Sequence, residues 1–230
     1  RIRFFRVTAW QGEIHPHEHD AIAWLTAGKP PSVEPVLPAN GPILKGLALP
    51  TTCALTNAEE NGTALELSRL KAALTNGLRF IQVRDKGLPA AVRADFAREV
   101  VALGKAHGAI VVVNDTPDLA RAIGADGIHL SSRSLAQCLE KPEFEWVGAS
   151  CHSIEELKQA AALELDYALL GPVLPTPTHP DAASLGWHVF EQLVDLSPLP
   201  VLALGGMKTE MIGDAQTHGA HGLALMRGWR

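Results

Sequence analysis

The stretch Tyr167-Ala-Leu-Leu-Gly-Pro-Val-Leu-Pro-Thr-Pro-Thr-His179 joins a short apolar run to a loop of proline and threonine. A similar apolar run, residues 201–204, leads directly into the pair Gly205-Gly206. Both runs are too short for helices and are bounded by glycine or proline, so they predict buried strands of a parallel sheet. Loops that leave the carboxyl ends of such strands build the ligand site. Threonine hydroxyls beside a diglycine turn favour a small phosphorylated ligand, although the same residues also suit ordinary turns.

The alternation of short apolar runs and amphipathic segments continues on both sides of this stretch. The predicted strands are residues 50–55, 80–84, 109–113, 127–130, 145–150, 167–170, 201–204 and 222–226. The predicted helices are residues 63–74, 90–107, 117–123, 135–139, 187–196 and 210–216, with another that follows a capping box of Ser153 and Glu156. Strand and helix alternate over roughly 180 residues, which predicts an α/β protein built as a single (β/α)₈ TIM barrel. A doubly wound open sheet is the alternative.

Composition limits the partners that the chain is expected to have. Its 230 residues carry a formal net charge of −5, so no basic field attracts nucleic acid or an anionic membrane. No apolar run approaches the ~18 residues needed to span a bilayer. Cys53, Cys138 and Cys151 show no CxxC spacing, and we therefore expect reduced thiols and a cytoplasmic location. A homo-oligomer is compatible with the sequence.

The first 46 residues differ in character from the rest. Residues 1–10 and 21–25 each predict a strand, and the polar turn between them predicts a short β-hairpin appended to the barrel. A short helix is expected at residues 43–49, before Pro50. Two strands and a helix are too little for a domain with its own core, so this segment packs on the rest or belongs to a larger domain.

Three histidines occupy alternate positions in the polar turn of that segment. They are His15, His17 and His19, next to Glu18. Alternation in an extended chain places them on one side, as a metal site would require. A solvated polar loop is the favoured interpretation, because no further ligands are recognisable.

In the predicted barrel, the polar residues that follow each strand face one mouth. They are Gln82, Arg84, Lys86, Asn114, Asp115, Ser131, Ser132, Ser150, His152, Thr176, Thr178, His179, Gly205 and Gly206. The period of two along a strand turns Gln82 and Arg84 inward together. An inward arginine needs an anion, which is either a ligand phosphate or Asp115 in an ion pair that plugs the mouth.

Several motifs together resemble the thiamine phosphate synthase and thiazole tautomerase (TenI-like) family. They are Gln82-Val-Arg-Asp-Lys86, Asn114-Asp115, Gly124-Ala-Asp-Gly-Ile-His-Leu130, Gly148-Ala-Ser-Cys-His152, Gly171-Pro-Val-Leu-Pro-Thr-Pro-Thr178 and Leu204-Gly-Gly-Met207. The resemblance covers residues 47–230 and implies a single (β/α)₈ barrel. One branch of the family joins a pyrimidine pyrophosphate to a thiazole phosphate with Mg²⁺. The other branch aromatises the thiazole phosphate carboxylate without a metal.

Residues 1–46 resemble the C-terminal end of a Nudix hydrolase domain. The resemblance lies in Phe4-Phe-Arg-Val-Thr8 and Leu37-Pro-Ala-Asn-Gly-Pro-Ile43. The Nudix box with its glutamate cluster is not in this sequence, so no Nudix activity is expected of it. The implied division is a Nudix remnant with a linker at 1–46 and a synthase-like barrel at 47–230.

The resemblance also implies roles for individual residues. The pyrimidine pyrophosphate side comprises Gln82, Arg84, Lys86, Asn114 and Ser150; the Mg²⁺ ligand is Asp115; the thiazole phosphate side comprises Thr176, Thr178, His179, Gly205, Gly206 and Arg227. Three positions depart from the synthase pattern. Ser131-Ser-Arg-Ser134 lacks a second metal carboxylate, His179 stands where the synthase has lysine, and Met226-Arg-Gly-Trp229 replaces a serine-containing phosphate turn.

These departures decide the order of three hypotheses. Release of pyrophosphate needs Mg²⁺ and lysine to stabilise developing charge, and each missing group costs a factor of ~10² or more in rate. A tautomerase needs only a proton transfer, for which His152 is the candidate acid/base, with no cofactor. The sequence therefore favours a tautomerase-like isomerase over a Mg²⁺-dependent thiamine phosphate synthase. The third hypothesis is a non-catalytic metabolite-binding barrel fused to a Nudix hydrolase.

Overall fold

Eight parallel strands close into a barrel in which every strand pairs with its neighbours in the sequence, and β8 pairs with β1. The computed structural model describes residues 7, 9–18, 20–30, 32–176 and 183–229. The strands are β1 (Thr52–Leu55), β2 (Phe80–Val83), β3 (Ile110–Asn114), β4 (Gly127–Leu130), β5 (Trp146–Cys151), β6 (Tyr167–Leu170), β7 (Val201–Leu204) and β8 (Gly222–Leu225). The predicted TIM barrel is confirmed, and the open doubly wound sheet is excluded by closure.

Helices follow the strands on the outside of the barrel. Within the described ranges they are α1 (Gly41–Ala48), α2 (Ala58–Asn61), α3 (Thr63–Thr75), α4 (Ala90–Ala106), α5 (Pro117–Ile123), α6 (Ser132–Gln137), α7 (Ile154–Ala162), α8 (Gly186–Asp195) and α9 (Ile212–Thr217). Short 3-10 turns at Pro38–Asn40 and Thr209–Met211 precede α1 and α9. In the part of the chain that the structure describes, no helix has both the length and the apolar character to cross a membrane.

Strand periodicity separates the core into two layers. In β2, Phe80 belongs to the cluster inside the barrel, while Ile81 and Val83 belong to the cluster between the barrel and the helices. Gln82 shares the inward side with Phe80, because alternate residues of a strand face the same way. The inner layer is apolar towards the amino ends of the strands and polar at their carboxyl ends, where the cavity lies.

Helix α1 packs on the amino ends of the strands. The Lys45 ammonium is 2.8 Å from the buried Asp166 carboxylate, just before β6, and 5.0 Å from the ring centre of Trp146, at the start of β5. The backbone carbonyl of the buried Leu49 accepts a hydrogen bond from His221 Nε2 at 2.7 Å. The predicted short helix before Pro50 is therefore confirmed, and it spans the boundary that the sequence suggested between residues 46 and 47.

The predicted N-terminal hairpin is not found. In the described part of residues 7–30 there is no strand, so the prediction for residues 21–25 is wrong; the first strand falls mainly on residues 1–6 and 8, outside the described residues. Trp10 and Trp24 stack with ring centres 6.1 Å apart but remain 59% and 73% exposed. An isolated two-stranded hairpin is marginal in water, and the described residues of this segment include no further strand and no buried residue to support it.

The histidine turn is solvent-exposed where it is described. His15 and His17 are both exposed, with His15 Nε2 3.7 Å from the Glu13 carboxylate. His19 lies outside the described residues. Among the residues that are described, no group of three or more His, Cys, Asp or Glu side chains is arranged to hold a metal ion. The solvated-loop interpretation fits this arrangement.

Candidate active site

A cavity of about 610 Å³ opens at the carboxyl ends of the strands. The sequence-predicted residues that line it are Gln82, Arg84, Lys86, Asn114, Ser131, Ser132, Ser150, His152, Thr176, Gly205, Gly206 and Arg227. Asp115 adjoins the cavity through Lys86, which contacts its carboxylate. Thr178 and His179 lie outside the described residues. The expectation that these strand ends share one mouth is confirmed for the residues that line the cavity.

Hydrogen bonds link the loops after β1 and β2 next to the backbone of Arg84. The buried Asp85 carboxylate accepts hydrogen bonds from the Thr56 hydroxyl and from the Ala58 N–H at 2.5 Å. The Thr56 oxygen in turn accepts the Arg84 N–H at 3.0 Å. The backbone of Arg84 is thus fixed, while its guanidinium forms no ion pair with any described residue. A fixed, uncompensated arginine beside a cavity is suited to an anionic ligand.

Asp115 pairs with Lys86 rather than with Arg84. Its Oδ2 is 2.7 Å from Lys86 Nζ, and its Oδ1 accepts the Ser131 N–H at 2.7 Å. Burial alone raises the pKa of Asp115, but hydrogen bonds from Lys86, Ser131 and Ser134 outweigh burial and lower it to about 2. The alternative of an Arg84–Asp115 plug is therefore wrong. Arg133 is exposed on α6 and does not line the cavity.

The cavity floor presents polar groups that are not fully satisfied by protein. Gln82 is 1% exposed, and its side-chain Nε2 has no hydrogen-bond partner among the described residues. Asn114, beside it in the lining, donates from Nδ2 to the His129 carbonyl at 3.1 Å. A buried donor without a partner costs free energy unless a ligand or water supplies an acceptor.

A buried histidine that the sequence-based site did not include supports Ser150. His129 is 0% exposed; its Nδ1 is 3.0 Å from the Tyr167 hydroxyl, and its Nε2 is 2.9 Å from Ser150 Oγ. Burial lowers the pKa of His129 to about 3; the Asp115 charge opposes the shift, and Arg84 and Lys86 add to it. The imidazole is therefore neutral at physiological pH.

A glycine makes room for the tyrosine of this group. A Cβ at Gly148 would lie 2.1 Å from the Tyr167 ring, so no larger residue fits there. The sequence signal for His129 was its inward position in β4, one residue before Leu130 ends the strand. Its partners could not be read from sequence, because Tyr167 and Ser150 are 38 and 21 residues away.

His152 is oriented by two hydrogen bonds. Its Nδ1 lies 2.5 Å from the Gly171 carbonyl, and its backbone N–H donates to the Glu156 carboxylate at 2.5 Å. A carbonyl only accepts, so Nδ1 carries the proton and Nε2 of the neutral ring is an acceptor. The Ser153 side chain accepts the Glu156 N–H and caps α7, which confirms the helix start expected at the capping box. The capping box therefore also positions His152, because its Glu156 accepts the His152 N–H.

The diglycine turn after β7 is packed against the loop after β6. Gly205 and Gly206 have φ values of +94° and +69°, in the left-handed region that favours glycine. A Cβ on Gly206 would lie 2.7 Å from the Leu174 Cβ, and the Leu174 N–H donates to the Gly205 carbonyl at 3.1 Å. The N–H groups of Gly206 and Gly228 have no partner among the described residues. Free backbone N–H groups of this kind bind phosphate.

Two cations border the diglycine turn. Lys208 lines the cavity and is exposed, a contribution that the sequence-based site missed although it directly follows Leu204-Gly-Gly-Met207. Arg227, after β8, also lines it, and its guanidinium is 2.7 Å from the Glu60 carboxylate of α2. The ion pair with Glu60 therefore holds the Arg227 guanidinium beside α2, at the edge of the cavity.

The arrangement of these groups agrees with a comparison of the sequence with known families. The family described as thiamine monophosphate synthase (TMP-TENI) matches residues 52–229, more than three quarters of the chain. The chain belongs to this family. The match covers all eight strands and every described residue that lines the cavity.

Relatives in the thiamine monophosphate synthase family cover different shares of their own length. A putative thiamine-phosphate synthase 2 of Aquifex aeolicus is 34% identical over 181 residues, which is 77% of this chain and 96% of that protein. A thiamine-phosphate synthase of Synechocystis is 34% identical over 177 residues, but the chain spans only 50% of its length. A thiamine phosphate pyrophosphorylase structure from Pyrococcus furiosus superposes with a TM-score of 0.65 at 25% identity, over 76% of this chain and 85% of that one.

Synthases of this family are Mg²⁺-dependent, and the chemistry of the donor set allows one such ion. Mg²⁺ in proteins takes one or two carboxylates and completes its shell with substrate oxygens and water. Asp115 supplies one carboxylate, and the neighbouring residue, Asn114, carries an amide oxygen. The residues present therefore fit a Mg²⁺ ion that has one protein carboxylate and takes its other ligands from the phosphate of the substrate and from water. Lys86 contacts the same carboxylate.

Proposed function

We propose that this protein is a thiamine-phosphate synthase, which joins a pyrimidine pyrophosphate to a thiazole phosphate. The observation that carries the proposal is the presence of two separate sets of anion-binding groups in one cavity. Arg84 and Lys86 form one set after β2, and the turn at Gly206 with Lys208 and Arg227 forms the other after β7 and β8. A reaction between two phosphorylated substrates needs two such sets, whereas a tautomerase needs one.

The names of the relatives support the same choice. The sequence alone favoured a tautomerase because a second metal carboxylate is missing from Ser131-Ser-Arg-Ser134. The relatives compared above are named as synthases or pyrophosphorylases, and none of those names is a tautomerase. The synthase hypothesis therefore has the better support.

The first set would hold the leaving pyrophosphate. Arg84 is fixed through Thr56 and forms no ion pair with a described residue, so its charge is available to phosphate oxygens. Lys86 can exchange Asp115 for the ligand, because an ammonium on a flexible stem is a mobile point charge. Bound Mg²⁺, held by Asp115 and Asn114, would neutralise the charge that develops on departing pyrophosphate.

The second set would hold the thiazole phosphate and orient it towards the pyrimidine. The free N–H groups of Gly206 and Gly228 supply directed donors, and Lys208 and Arg227 supply charge. Thr176 also lines the cavity. The cavity volume lies within the range of about 300–1,000 Å³ that is usual for small-molecule sites.

A product assay tests the proposal. Purified protein is incubated with the pyrimidine pyrophosphate, the thiazole phosphate and Mg²⁺, and thiamine phosphate is measured by its thiochrome fluorescence. The proposal expects product that needs both substrates and Mg²⁺, with a loss of roughly 10²-fold or more for Arg84→Ala. Arg133→Ala is the matched control, because Arg133 is exposed and away from the lining. Absence of product from the wild-type protein would contradict the proposal.

A tautomerase is the second candidate, and the geometry of His152 favours it. Gly171 holds the ring so that Nε2 is an acceptor at the cavity, as a base that moves one proton requires. The test is aromatisation of the thiazole phosphate carboxylate tautomer without metal. A His152→Ala protein that retained the wild-type rate would exclude this role. Tight binding of either product without any turnover would instead favour the non-catalytic barrel.

The remaining expectations complete the proposal. We place the enzyme in the cytoplasm, in keeping with three free cysteines, and regard a homo-oligomer as compatible with the fold. The assignment of residues 1–46 to the end of a Nudix domain, and of 47–230 to the barrel, stays a prediction. The roles of Thr178 and His179 on the thiazole side also stay predictions.

A further inference from the structure

Two buried side chains and one half-buried serine form a line from inside the barrel to the cavity floor. The Tyr167 ring meets the Phe80 ring edge-on at 5.2 Å, and the Tyr167 hydroxyl contacts His129 Nδ1 at 3.0 Å. His129 Nε2 contacts Ser150 Oγ at 2.9 Å, and Ser150 lines the cavity. Tyr167 and His129 are fully buried, so neither touches solvent.

The positions of the hydrogens follow from counting donors and acceptors. The hydroxyls of Tyr167 and Ser150 each carry one O–H. If both nitrogens of His129 carried hydrogens, both would donate, and the buried Tyr167 O–H would have no acceptor among its contacts, so the ring carries one N–H. If Nδ1 held the proton, it would donate to the Tyr167 oxygen, and the Tyr167 O–H would need another acceptor. Among the described residues, the Tyr167 hydroxyl has no other partner. That tautomer leaves a buried donor unpaired, which is costly.

The other tautomer satisfies the polar groups of both buried side chains. Tyr167 donates to Nδ1, and Nε2–H donates to Ser150 Oγ, so both hydrogen bonds of the buried end are formed. The Ser150 O–H then has no protein acceptor among the described residues and is turned towards the cavity. The hydroxyl therefore meets a ligand as a donor, although serine hydroxyls usually take either role.

We infer that Tyr167 and His129 are positioning residues that fix Ser150 as a hydrogen-bond donor, so that the site selects a ligand atom with a free lone pair. A ring nitrogen of a heteroaromatic substrate has such a lone pair, whereas an amine N–H at the same place is disfavoured because it leaves the Ser150 O–H without an acceptor. The inference rests on the proposed function only for the choice of probe. It adds a basis for selecting the pyrimidine ring, separate from the recognition of its phosphates.

The hydrogen arrangement is tested directly by NMR. Protein labelled with ¹⁵N-histidine reports the tautomer of each imidazole through long-range ¹H–¹⁵N correlations. We expect His129 in the Nε2–H form in the wild-type protein, and a shift towards the Nδ1–H form in Tyr167→Phe, which removes only the hydroxyl. An Nδ1–H form in the wild-type protein would overturn the inference. His221→Gln, which alters a histidine at the other end of the barrel, assigns signals and should leave the His129 tautomer unchanged.

Selection of the ligand is tested with a matched pair of probes. The probes are the pyrimidine pyrophosphate and an analogue in which a ring nitrogen is replaced by C–H, one analogue for each ring nitrogen. We expect the wild-type protein to bind the parent about tenfold more tightly than one of the analogues, and Ser150→Ala to lose that preference. Equal binding of the parent and every analogue by the wild-type protein would overturn the inference.

Two substitutions of His129 separate positioning from packing. His129→Gln keeps an N–H near Ser150, whereas His129→Leu has similar bulk and no donor. We expect Gln to retain most of the preference between the probes and Leu to lose it, and the same loss in both would contradict a positioning role. If no pyrimidine pyrophosphate binds at all, the proposed function fails, and the tautomer measurement still decides the inference.

Discussion

The Asp115 carboxylate shows how single contacts in the site set local chemistry. Its two oxygens accept from Lys86 and from the Ser131 backbone, and its own backbone adopts a φ of +52°. That strained conformation is tolerated because both oxygens are held, and strain of this kind concentrates at functional positions. The folded site therefore stabilises the ionised form of the Asp115 carboxyl group.

Ionisation of Asp115 should contribute to stability in a defined pH range. Its folded-state pKa of about 2 is below the ordinary value of 3.8, so the contribution is present above roughly pH 4 and is lost as pH falls towards 2. We expect it to be about 2 kcal/mol. Unfolding in urea at pH 6 and pH 2.5 measures it, and Asp115→Asn should abolish this part of the pH dependence. A variant with the wild-type pH dependence would contradict the assigned contacts.

Gly206 should tolerate no side chain. Its φ is +69°, and a Cβ would lie 2.8 Å from the Pro175 carbonyl oxygen as well as against Leu174. Gly206→Ala should lower the free energy of unfolding by about 1–3 kcal/mol and weaken thiazole phosphate binding. Gly213→Ala is the control, since it lies in α9 with nothing within 4 Å of a Cβ and should be neutral or stabilising. Equal effects of the two substitutions on binding would contradict the diglycine phosphate site.

At the scale of elements, α1 belongs physically to the barrel. Lys45 on its surface joins Lys141 around the buried Asp166, whose other oxygen accepts the Val147 N–H at 2.7 Å. The helix thus links the amino ends of β5 and β6, although the family match begins only at residue 52. A domain boundary drawn from motifs alone misses such a contact, because the contact is with residues more than one hundred positions away.

Replacing Lys45 should test whether α1 stabilises the barrel. Lys45→Met removes one of two cations from a buried carboxylate, and we expect a loss of about 1 kcal/mol in unfolding free energy, since Lys45 is partly exposed. Lys71→Met on the exposed side of α3 is the matched control and should change stability by less than about 0.5 kcal/mol. An unchanged stability for Lys45→Met would show that α1 does not contribute to the barrel.

At the scale of the whole molecule, the barrel was predictable because each of its elements carries a local signal. Short apolar runs between glycine and proline located all eight strands, and the strand period placed Gln82 and Arg84 in the mouth. The sequence did not predict the pairing of Lys86 with Asp115 or the contacts that join Tyr167, His129 and Ser150. These contacts join different strands, and no local sequence pattern specifies the register between strands. The hairpin prediction failed because it rested on the alternation of residues 21–25 alone. A strand at this position would need a core to pack against.

The most direct test of a two-substrate cavity is calorimetric binding of two anions to the same protein. Thiazole phosphate is titrated into protein alone and into protein saturated with inorganic pyrophosphate and Mg²⁺. The proposed sites predict that thiazole phosphate binds in both cases, that Arg84→Ala weakens only pyrophosphate, and that Lys208→Ala weakens only thiazole phosphate. Mutually exclusive binding of the two anions would contradict the presence of two sites in one cavity.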